Sequence, residues 1–381
     1  MIFKSKYSFE QGPIRPPNEA NSLLVRVTRN CPWNKCLFCP VYKGEKFSRR
    51  SVEEIMDDLA AMESAHKKVR EVSEEQGFGG IINRQVTAYI QANYPELFSI
   101  AYWQYHGGEN VFLQDGDSLL LPVDDLVKVL KTIKDKFPSV KRITTYSRSR
   151  TILRRTLNEL IKLKESGLKR IHVGLESGND RVLEYMEKGV TGDQHIEAGK
   201  LLKSAGLSLS EYVILGLGGE KLWKEHALDT ANVLNSINPD FIRVRTLAVP
   251  KSSPLYKKVA RGEFILLNDD QVVREEALFI ENLNNIESRF FSDHILNLLE
   301  EVCGNFPEDK NLMLAIINRY LSLGDEMRDI FKLGRRTGYF RRLGDLENSS
   351  LAVPVKQLYN QLQKENMSVD NYIQQLMLRF I

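Results

Sequence analysis

The chain has 381 residues, of which 42% are hydrophobic and 27% charged, and its formal net charge is +3. This composition is close to the average of globular proteins, which excludes extended disorder, and no stretch reaches the about 18 consecutive apolar residues of a membrane span. So small a net charge does not by itself predict nucleic acid binding, because phosphate recognition needs local clusters of basic residues.

The amino-terminal segment, residues 1–21, has no apolar stretch behind its positive charges, so it is not typical of a secretory signal. The chain has four cysteines, and three of them fall within nine positions. This spacing differs from the dispersed cysteines of a disulfide-stabilised secreted protein. We therefore expect a reducing, cytoplasmic location without membrane association.

Apolar segments rich in β-branched residues alternate with amphipathic segments, with a period of about 30 residues. The predicted strands are Leu23–Thr28, Asn110–Leu113, Arg142–Tyr146, Arg170–Gly174, Ser208–Leu215 and Phe241–Thr246. The predicted helices between them are Val52–Val72, Val123–Lys136, Arg150–Ser166, Asp180–Glu187, Gly192–Ala205 and Leu222–Ile237. This order predicts an α/β fold, a partial (β/α)6 barrel of the TIM type over residues 22–264, with functional groups at the carboxyl ends of its strands.

Residues 74–105 interrupt this alternation with a glycine-rich start followed by several aromatic residues. The interruption is too long for a simple loop, so we predict an insertion that contains a helix over Asn83–Ala92. Two interpretations remain open, a lid over the barrel and a helical appendage that packs its aromatic residues against the barrel wall.

Residues 265–381 are predicted to form a mainly helical carboxyl-terminal region. The predicted helices are Asp270–Asn285, Asp293–Cys303, Lys310–Leu323 and Val355–Phe380. Between Arg328 and Arg342 six basic residues stand against the single acid Asp329. Such a run favours a solvated or salt-bridged surface over an anionic partner.

Three cysteines, Cys31, Cys36 and Cys39, follow the first predicted strand directly. Thiolates hold iron–sulfur clusters, and a four-iron cluster usually takes four of them. Three thiolates would leave one iron open, and an open position is what distinguishes a catalytic metal from a structural one. The alternatives are a zinc site completed by Cys303 or His106 and cysteines without a metal role.

The segment from Cys31 to Cys39 resembles the signature of the radical S-adenosylmethionine (SAM) superfamily, Cys-x3-Cys-x2-Cys with an aromatic residue before the third cysteine. Phe38 occupies the aromatic position, whereas the first gap is one residue longer than usual. The likeness extends over about Ser22–Phe264 and is closest to the branch of methylthiotransferases, the elongator catalytic subunit and oxygen-independent coproporphyrinogen oxidase. It implies a 4Fe–4S cluster on the three cysteines, SAM as a second cofactor, and an external one-electron reductant of the ferredoxin or flavodoxin type.

The resemblance also implies cofactor contacts at the ends of the second and third strands. Asp115 and Asp117 would receive the methionyl amino group, because carboxylates are strong acceptors for a cationic amine. A helix-capping turn is the alternative for these two residues. Ser147 and Arg148, at the end of the third strand, are candidates for contacts to the hydroxyl or carboxylate groups of the cofactor.

Further contacts are expected on the last three strands. Glu176 lies in a Gly-Leu-Glu-Ser-Gly turn that resembles the family turn for the ribose or methionyl part, although the turn also reads as an ordinary helix entry. Leu217 lies in a glycine-containing turn similar to the one beside the adenine, or in a plain strand exit. Arg243 shares a face of the sixth strand with Arg245, and a guanidinium there is suited to clamping a carboxylate. The segment Phe291–His294 is a further candidate for a substrate role.

The sequence thus favours an enzyme that cleaves SAM to a 5′-deoxyadenosyl radical and acts on an unidentified substrate. An iron–sulfur electron-transfer protein or a zinc-binding protein without SAM chemistry would explain the cysteines but not the strand-end residues. A nucleic acid substrate is not favoured, since no separate RNA-binding module is evident. Methylthio transfer is also disfavoured, because only Cys303 remains for a second cluster.

Overall fold

The structure is a computed structural model, and it describes residues 6–377. Its strands are β1 (Leu23–Arg26), β2 (Thr28–Arg29), β3 (Ser48–Arg49), β4 (Asn110–Gln114), β5 (Arg142–Ser147), β6 (Leu168–Glu176), β7 (Ser208–Leu215), β8 (Phe241–Thr246), β9 (Arg289–Phe291) and β10 (Cys303–Asn305). Most strand pairs are parallel. All six predicted barrel strands are present in the predicted chain order, which confirms the α/β fold class.

The helices from the amino terminus to β8 are α1 (Val52–Glu75), α2 (Arg84–Asn93), α3 (Phe98–Tyr105), α4 (Val123–Lys136), α5 (Ser149–Ile152), α6 (Leu157–Glu165), α7 (Asp180–Tyr185), α8 (Gly192–Ser204) and α9 (Gly219–Ile237). The helix predicted over Arg150–Ser166 is two helices, α5 and α6. Thr156 is the N-cap of α6, because its side chain accepts from the Glu159 amide and the Glu159 side chain accepts from the Thr156 amide.

The helices after β8 are α10 (Leu255–Ala260), α11 (Asp269–Asn282), α12 (Lys310–Leu321), α13 (Asp325–Thr337), α14 (Ser349–Lys364) and α15 (Val369–Met377). The prediction of a helix over Asp293–Cys303 is wrong, since that segment is a loop that leads into β10. The prediction over Val355–Phe380 merged α14 and α15, and its end at Phe380 lies outside the described residues. None of the helices within residues 6–377 is both long enough and apolar enough to cross a bilayer.

The described residues divide into two compact units. The first unit takes the residues up to Asn34, Val41–Val173 and Leu201–Ser208. Its strands pair in parallel in the order β1, β4, β5 and β6, and register places Phe112 beside Thr144 and Tyr146 beside His172. Helix α1 packs against α3 and α4 over a core that includes Leu59 and Met62.

The insertion at residues 74–105 packs within this first unit. Helix α2, capped by Asn83, agrees with the predicted helix within one residue at each end. Trp103 of α3 is buried, donates its indole N–H to the Asn110 carbonyl at 2.9 Å and packs edge-on against Phe137 of the segment after α4. The packing agrees with the appendage interpretation for α3.

The second unit takes Lys35–Pro40, Gly174–Lys200 and the described residues from Leu209 on. Here β7, β8 and β9 pair in parallel, and β10 closes this order antiparallel to β9. Strand β9 was not predicted, because it has only three residues. Behind it, α11 packs against α9 and α12, and Phe279 of α11 contacts Phe290 of β9.

Candidate active site

Cys31 lies in the first unit, in a loop that begins directly after β2. Asn30 and Asn34 adopt left-handed backbone conformations, with φ of 67° and 47°, which asparagine tolerates better than most residues. Both side chains hold the loop to the following segment, since the Asn30 amide donates to the Lys46 carbonyl at 2.7 Å and the Asn34 amide donates to the Tyr42 carbonyl. The backbone that carries Cys31 is therefore shaped by local hydrogen bonds.

The turn after β4 packs directly on this loop. A Cβ atom on Gly116 would lie 3.3 Å from the Asn30 carbonyl oxygen and 3.4 Å from the Cys31 Cα. Glycine therefore allows the turn at the end of one strand to approach the cysteine that follows another. The structure brings the Asp115–Asp117 turn and Cys31 together, as expected for neighbouring strand ends.

Asp115 is fully buried and already paired. Its Oδ2 accepts from the Arg26 guanidinium at 2.5 Å and from the Asn30 amide at 3.2 Å. Gly12 covers the other oxygen, since a Cβ there would lie 2.2 Å from Asp115 Oδ1. Burial and the Asp115 carboxylate together raise the pKa of Tyr42. Asp115 therefore supports the cysteine loop through its hydrogen bond with the Asn30 amide.

Asp117 and Ser147, both predicted cofactor residues, contact each other. The Ser147 hydroxyl donates to Asp117 Oδ1 at 2.8 Å, and the Thr151 hydroxyl donates to Oδ2 at 2.5 Å. Burial raises the pKa of Asp117 to about 6 although both hydrogen bonds oppose the shift. Nearby, the Arg148 guanidinium lies 4.9 Å from the centre of the Trp33 ring, which belongs to the cysteine loop.

Cys36, Phe38 and Cys39 lie in the second unit. The Cys39 amide donates to the Cys36 carbonyl at 3.4 Å, so these two cysteines flank one turn. Leu37, between them, donates to the Met186 carbonyl at 3.0 Å and accepts from the Leu255 amide at 2.9 Å. Backbone hydrogen bonds to two other segments therefore hold this part of the loop.

Phe38 and Leu217 share an apolar cluster in the second unit. Leu217 is buried, and the cluster also contains Leu37, Val182, Met186, Leu247, Val249, Leu255 and Phe264. Phe38 packs against it while remaining partly exposed. Leu217 is thus a buried member of the apolar core of this unit, and Phe38 is the partly exposed residue that packs on it.

Glu176 lies at the centre of a charged group, of which the sequence predicted only Glu176 itself. The Lys188 ammonium donates to Glu176 Oε1 at 2.9 Å and lies 5.8 Å from the centre of the Phe38 ring. Glu211 of β7 is fully buried, and its pKa is raised well above the usual value by burial and by the Glu176 carboxylate, with Lys188 opposing. One ammonium and two carboxylates thus lie within electrostatic reach of each other.

Gly174 makes room for this group. A Cβ atom at Gly174 would lie 2.2 Å from Glu176 Oε1 and 3.0 Å from Lys188 Nζ. Lys188 and Glu211 were not predicted as functional residues. A lysine after a short helix is usually solvent-exposed, and a single glutamate in an apolar strand belongs to no recognisable motif. The glycine two residues before Glu176 was the available hint of close packing.

Arg243 lies on β8 with its guanidinium 4.4 Å from the centre of the Phe291 ring. Its Nη1 is 3.9 Å from Asp293, whose side chain is mostly exposed. His294, the neighbour of Asp293, has its pKa lowered to about 4 by burial and by Arg245. The structure therefore brings Arg243 close to part of the Phe291–His294 segment, in a loop rather than at the start of a helix.

The residues considered for a fourth zinc ligand have other surroundings. Cys303 lies 3.4 Å from the Glu300 carbonyl, and burial raises its pKa to about 11, which disfavours a thiolate. His106 packs against Tyr102 and Tyr105. None of the four cysteines is part of a disulfide bond in the described residues. Within residues 6–377 no three or more histidine, cysteine or acidic side chains converge at metal-binding distances.

The basic run from Arg328 to Arg342 is largely internal. Lys332 forms ion pairs with three aspartates, Arg336 pairs with Asp269 at 2.5 Å, and both basic side chains are buried. Arg335 donates to the Asn297 and Leu298 carbonyls. The salt-bridged interpretation agrees with these contacts, although Arg341 and Arg342 are exposed.

Comparison with known proteins supports the resemblance. Residues 93–231 match the family described as the Radical SAM superfamily, a range that begins after the three cysteines. The tRNA-2-methylthio-N(6)-dimethylallyladenosine synthase of Prosthecochloris aestuarii is 22% identical over 284 residues, which are 73% of this chain and 53% of that protein. The tRNA uridine(34) acetyltransferase of Methanocaldococcus jannaschii is 25% identical over 118 residues, 31% of this chain and 21% of that protein.

Among solved structures, the cobalamin-dependent S-adenosylmethionine radical enzyme OxsB matches with a TM-score of 0.47 at 14% identity, over 94% of this chain and 54% of that one. The chain spans between about a fifth and about half of the length of the curated relatives named above. The family match and these relatives identify the domain. Residues 93–231 of the chain therefore form a radical SAM domain by sequence, with relatives that include the synthase of Prosthecochloris aestuarii.

Proposed function

We propose that this chain is an enzyme that binds a 4Fe–4S cluster through Cys31, Cys36 and Cys39 and cleaves SAM reductively. The cluster, when bound and reduced, supplies the electron that breaks SAM into methionine and a 5′-deoxyadenosyl radical, which takes a hydrogen atom from the substrate. The observation that carries the proposal is the packing of the Asp115–Asp117 turn on the loop of Cys31. It joins the cysteine motif to a second strand end of a radical SAM domain.

The cysteine loop suits an iron–sulfur cluster. Its three cysteines are half-buried and outside disulfide bonds, and cysteine thiolates are the usual ligands of iron–sulfur clusters. Cys303, with its raised pKa, stands apart from this set. We therefore assign the cluster to the three motif cysteines and give Cys303 no part in it.

The charged group around Glu176 suits the polar parts of SAM. The Lys188 ammonium would bind the methionyl carboxylate, and the Glu176 carboxylate would accept from ribose hydroxyls or from the amino group. In the first unit, Asp115 and Asp117 are buried and hydrogen-bonded, so we give them a supporting role beside the loop of Cys31 and keep the partly exposed Arg148 as the candidate for a cofactor contact. The apolar cluster with Phe38 and Leu217 would hold the adenine.

The substrate is unidentified, and an external one-electron donor of the ferredoxin or flavodoxin type would reduce the cluster. Two relatives are named for reactions on tRNA. The basic run does not favour RNA here, because Lys332 and Arg336 are buried in ion pairs rather than available to phosphates.

Metal analysis combined with spectroscopy tests the proposal against its alternatives. The full chain, purified without oxygen and reconstituted with iron and sulfide, should hold about four irons, and SAM should change the electron paramagnetic resonance spectrum of the reduced cluster. An iron–sulfur signal that SAM leaves unchanged would identify an electron-transfer protein. One tightly bound zinc and no iron would contradict both interpretations. Cys303→Ala is the matched control for Cys36→Ala and should retain full iron content.

A further inference from the structure

Strand β8 carries two arginines on one face. Arg243 and Arg245 alternate with Ile242 and Val244, which are buried. Register places Ile242 beside Phe290, which contacts Phe279 of α11. Since alternate residues of a strand point to opposite faces, the two arginines lie on the face that does not pack against α11.

Neither guanidinium has a close carboxylate. The nearest one to Arg243 is Asp293 at 3.9 Å, and the Arg243 Nε is buried without a hydrogen-bond partner among residues 6–377. Arg245 has its guanidinium 4.8 Å from the centre of the Tyr212 ring, and in the described part of the chain no carboxylate lies within 4 Å of it. Arg336 of α13, which is paired with Asp269 at 2.5 Å, shows the usual arrangement for a buried arginine.

Two half-buried guanidiniums, of which one has a single distant ion pair at 3.9 Å and the other has none among the described residues, are costly unless an anion compensates them. Contacts with aromatic rings stabilise a cation, but they replace only part of its lost hydration. Arginine is the side chain best suited to bidentate hydrogen bonding with carboxylate or phosphate. Burial and the positive charge of Arg245 lower the pKa of the neighbouring His294, so its imidazole is neutral near pH 7.

We propose that Arg243 and Arg245 form an anion-binding site that receives a carboxylate or phosphate group of the substrate. That the anion belongs to a substrate rests on the proposed function, whereas the presence of an anion-binding site does not. Arg243 lies three residues before the last residue of β8, which places it about 10 Å below the strand end at about 3.3 Å per residue. The predicted cofactor groups lie at strand ends, so we assign Arg243 to the substrate rather than to SAM.

Binding of simple anions tests the site. Inorganic phosphate and succinate, each titrated at constant ionic strength into the full chain, serve as probes for the two anion types. We expect at least one of them to bind, and Arg243→Gln and Arg245→Gln each to weaken that binding at least tenfold. Preference for phosphate or for succinate tells which group the substrate carries.

Arg289→Gln is the matched control, because Arg289 is exposed on β9 and also lies over the Phe291 ring, at 5.3 Å. It should leave the affinity unchanged. Arg245→Gln decides the test where Arg243→Gln does not fold, as judged by circular dichroism. Binding of neither anion to the wild type, or equal losses in all three variants, would overturn the proposal. A wild type that binds the anion but makes no 5′-deoxyadenosine would contradict the proposed function alone.

Discussion

Glu176 combines backbone strain with a charged contact. Its φ of 64° lies in the left-handed region, which costs a non-glycine residue about 1–3 kcal/mol and persists where the surrounding structure holds it. Here the Lys188 ammonium binds its carboxylate at 2.9 Å. The ion pair with Lys188 thus helps to hold a strained acidic residue at the end of a strand.

Lys188→Met tests that contact. The variant removes the ammonium that we propose as the partner of the methionyl carboxylate, so we expect the affinity for SAM to fall at least tenfold while iron content stays unchanged. Equilibrium binding of SAM to the reconstituted chain measures the effect. Lys188→Arg keeps the charge and should restore most of the affinity. Unchanged SAM binding in Lys188→Met would remove Lys188 from the site.

Glu275 makes stability depend on pH. It is fully buried, accepts from the Gly216 amide at 2.5 Å, and burial raises its pKa to about 8. The folded chain keeps this carboxyl protonated up to about pH 8, whereas the unfolded chain ionises it above about pH 4.5. Its favourable contribution is therefore complete below pH 4.5 and is lost as the pH rises to about 8.

Glu275→Gln should remove this dependence, because a neutral amide can still accept from Gly216. The free energy of unfolding of the variant relative to the wild type should rise by a few kcal/mol between pH 5 and pH 8, at about 1.4 kcal/mol per pKa unit. Urea unfolding at several pH values measures it. Glu281→Gln, exposed on the same helix, should show no such trend. Parallel curves for wild type and Glu275→Gln would contradict the assignment.

At the residue scale, a turn motif in the sequence marks candidate positions, whereas only the fold reveals which side chains they contact. Glu176 and Leu217 stand in glycine-containing turns. Lys188 is twelve residues from Glu176 and Glu211 is thirty-five residues away, so their proximity follows from tertiary structure. The Asp117–Ser147 contact likewise joins two predicted residues whose pairing no local pattern encodes.

At the scale of elements, α13 explains the basic run. This helix presents Arg336 to the buried Asp269 and Lys332 to partly buried aspartates, and these ion pairs stabilise the carboxyl-terminal region. The sequence contains the charges of the run but not the positions of Asp269 and Asp370, which come from α11 and α15. The sequence therefore predicted a solvated or salt-bridged surface for this run, and helix α13 was not predicted.

Arg336→Met tests the internal role of α13. Removing the guanidinium leaves the Asp269 carboxylate buried without its partner, so the free energy of unfolding should fall by about 3–5 kcal/mol. Arg341→Met is the control, since Arg341 is 80% exposed in its pair with Glu300, and exposed pairs contribute little. Urea denaturation compares the two variants. Equal losses of unfolding free energy in Arg336→Met and Arg341→Met would mean that burial of the Arg336–Asp269 pair has no effect on stability.

Element prediction was accurate where the βα alternation is regular. Helix α4 was predicted with both of its ends, and β7 and β8 likewise. It failed after Thr246, where β9 has three residues and the segment predicted as a helix over Asp293–Cys303 is a loop held by Asn297, whose side chain bonds to the backbone at Ser292, Val244 and Thr246. Such long-range side-chain contacts leave no periodic signal.

At the scale of the whole molecule, the chain has two compact units, and the motif cysteines are distributed over both. Cys31 belongs to the first unit, and Cys36 and Cys39 belong to the second. The family match covers residues 93–231 and ends before the carboxyl-terminal region. The fold class was predictable from the repeated units, and one motif predicts the cofactor chemistry, whereas no motif of the sequence predicts the substrate.

Formation of 5′-deoxyadenosine from SAM tests the central claim most directly. The reconstituted full chain, reduced with dithionite and analysed by liquid chromatography, should produce 5′-deoxyadenosine and methionine. Cys36→Ala and Cys39→Ala should produce none, and Cys303→Ala should match the wild type. A wild type that holds its cluster yet releases no 5′-deoxyadenosine, or a Cys36→Ala variant that releases it at the wild-type rate, would contradict the account.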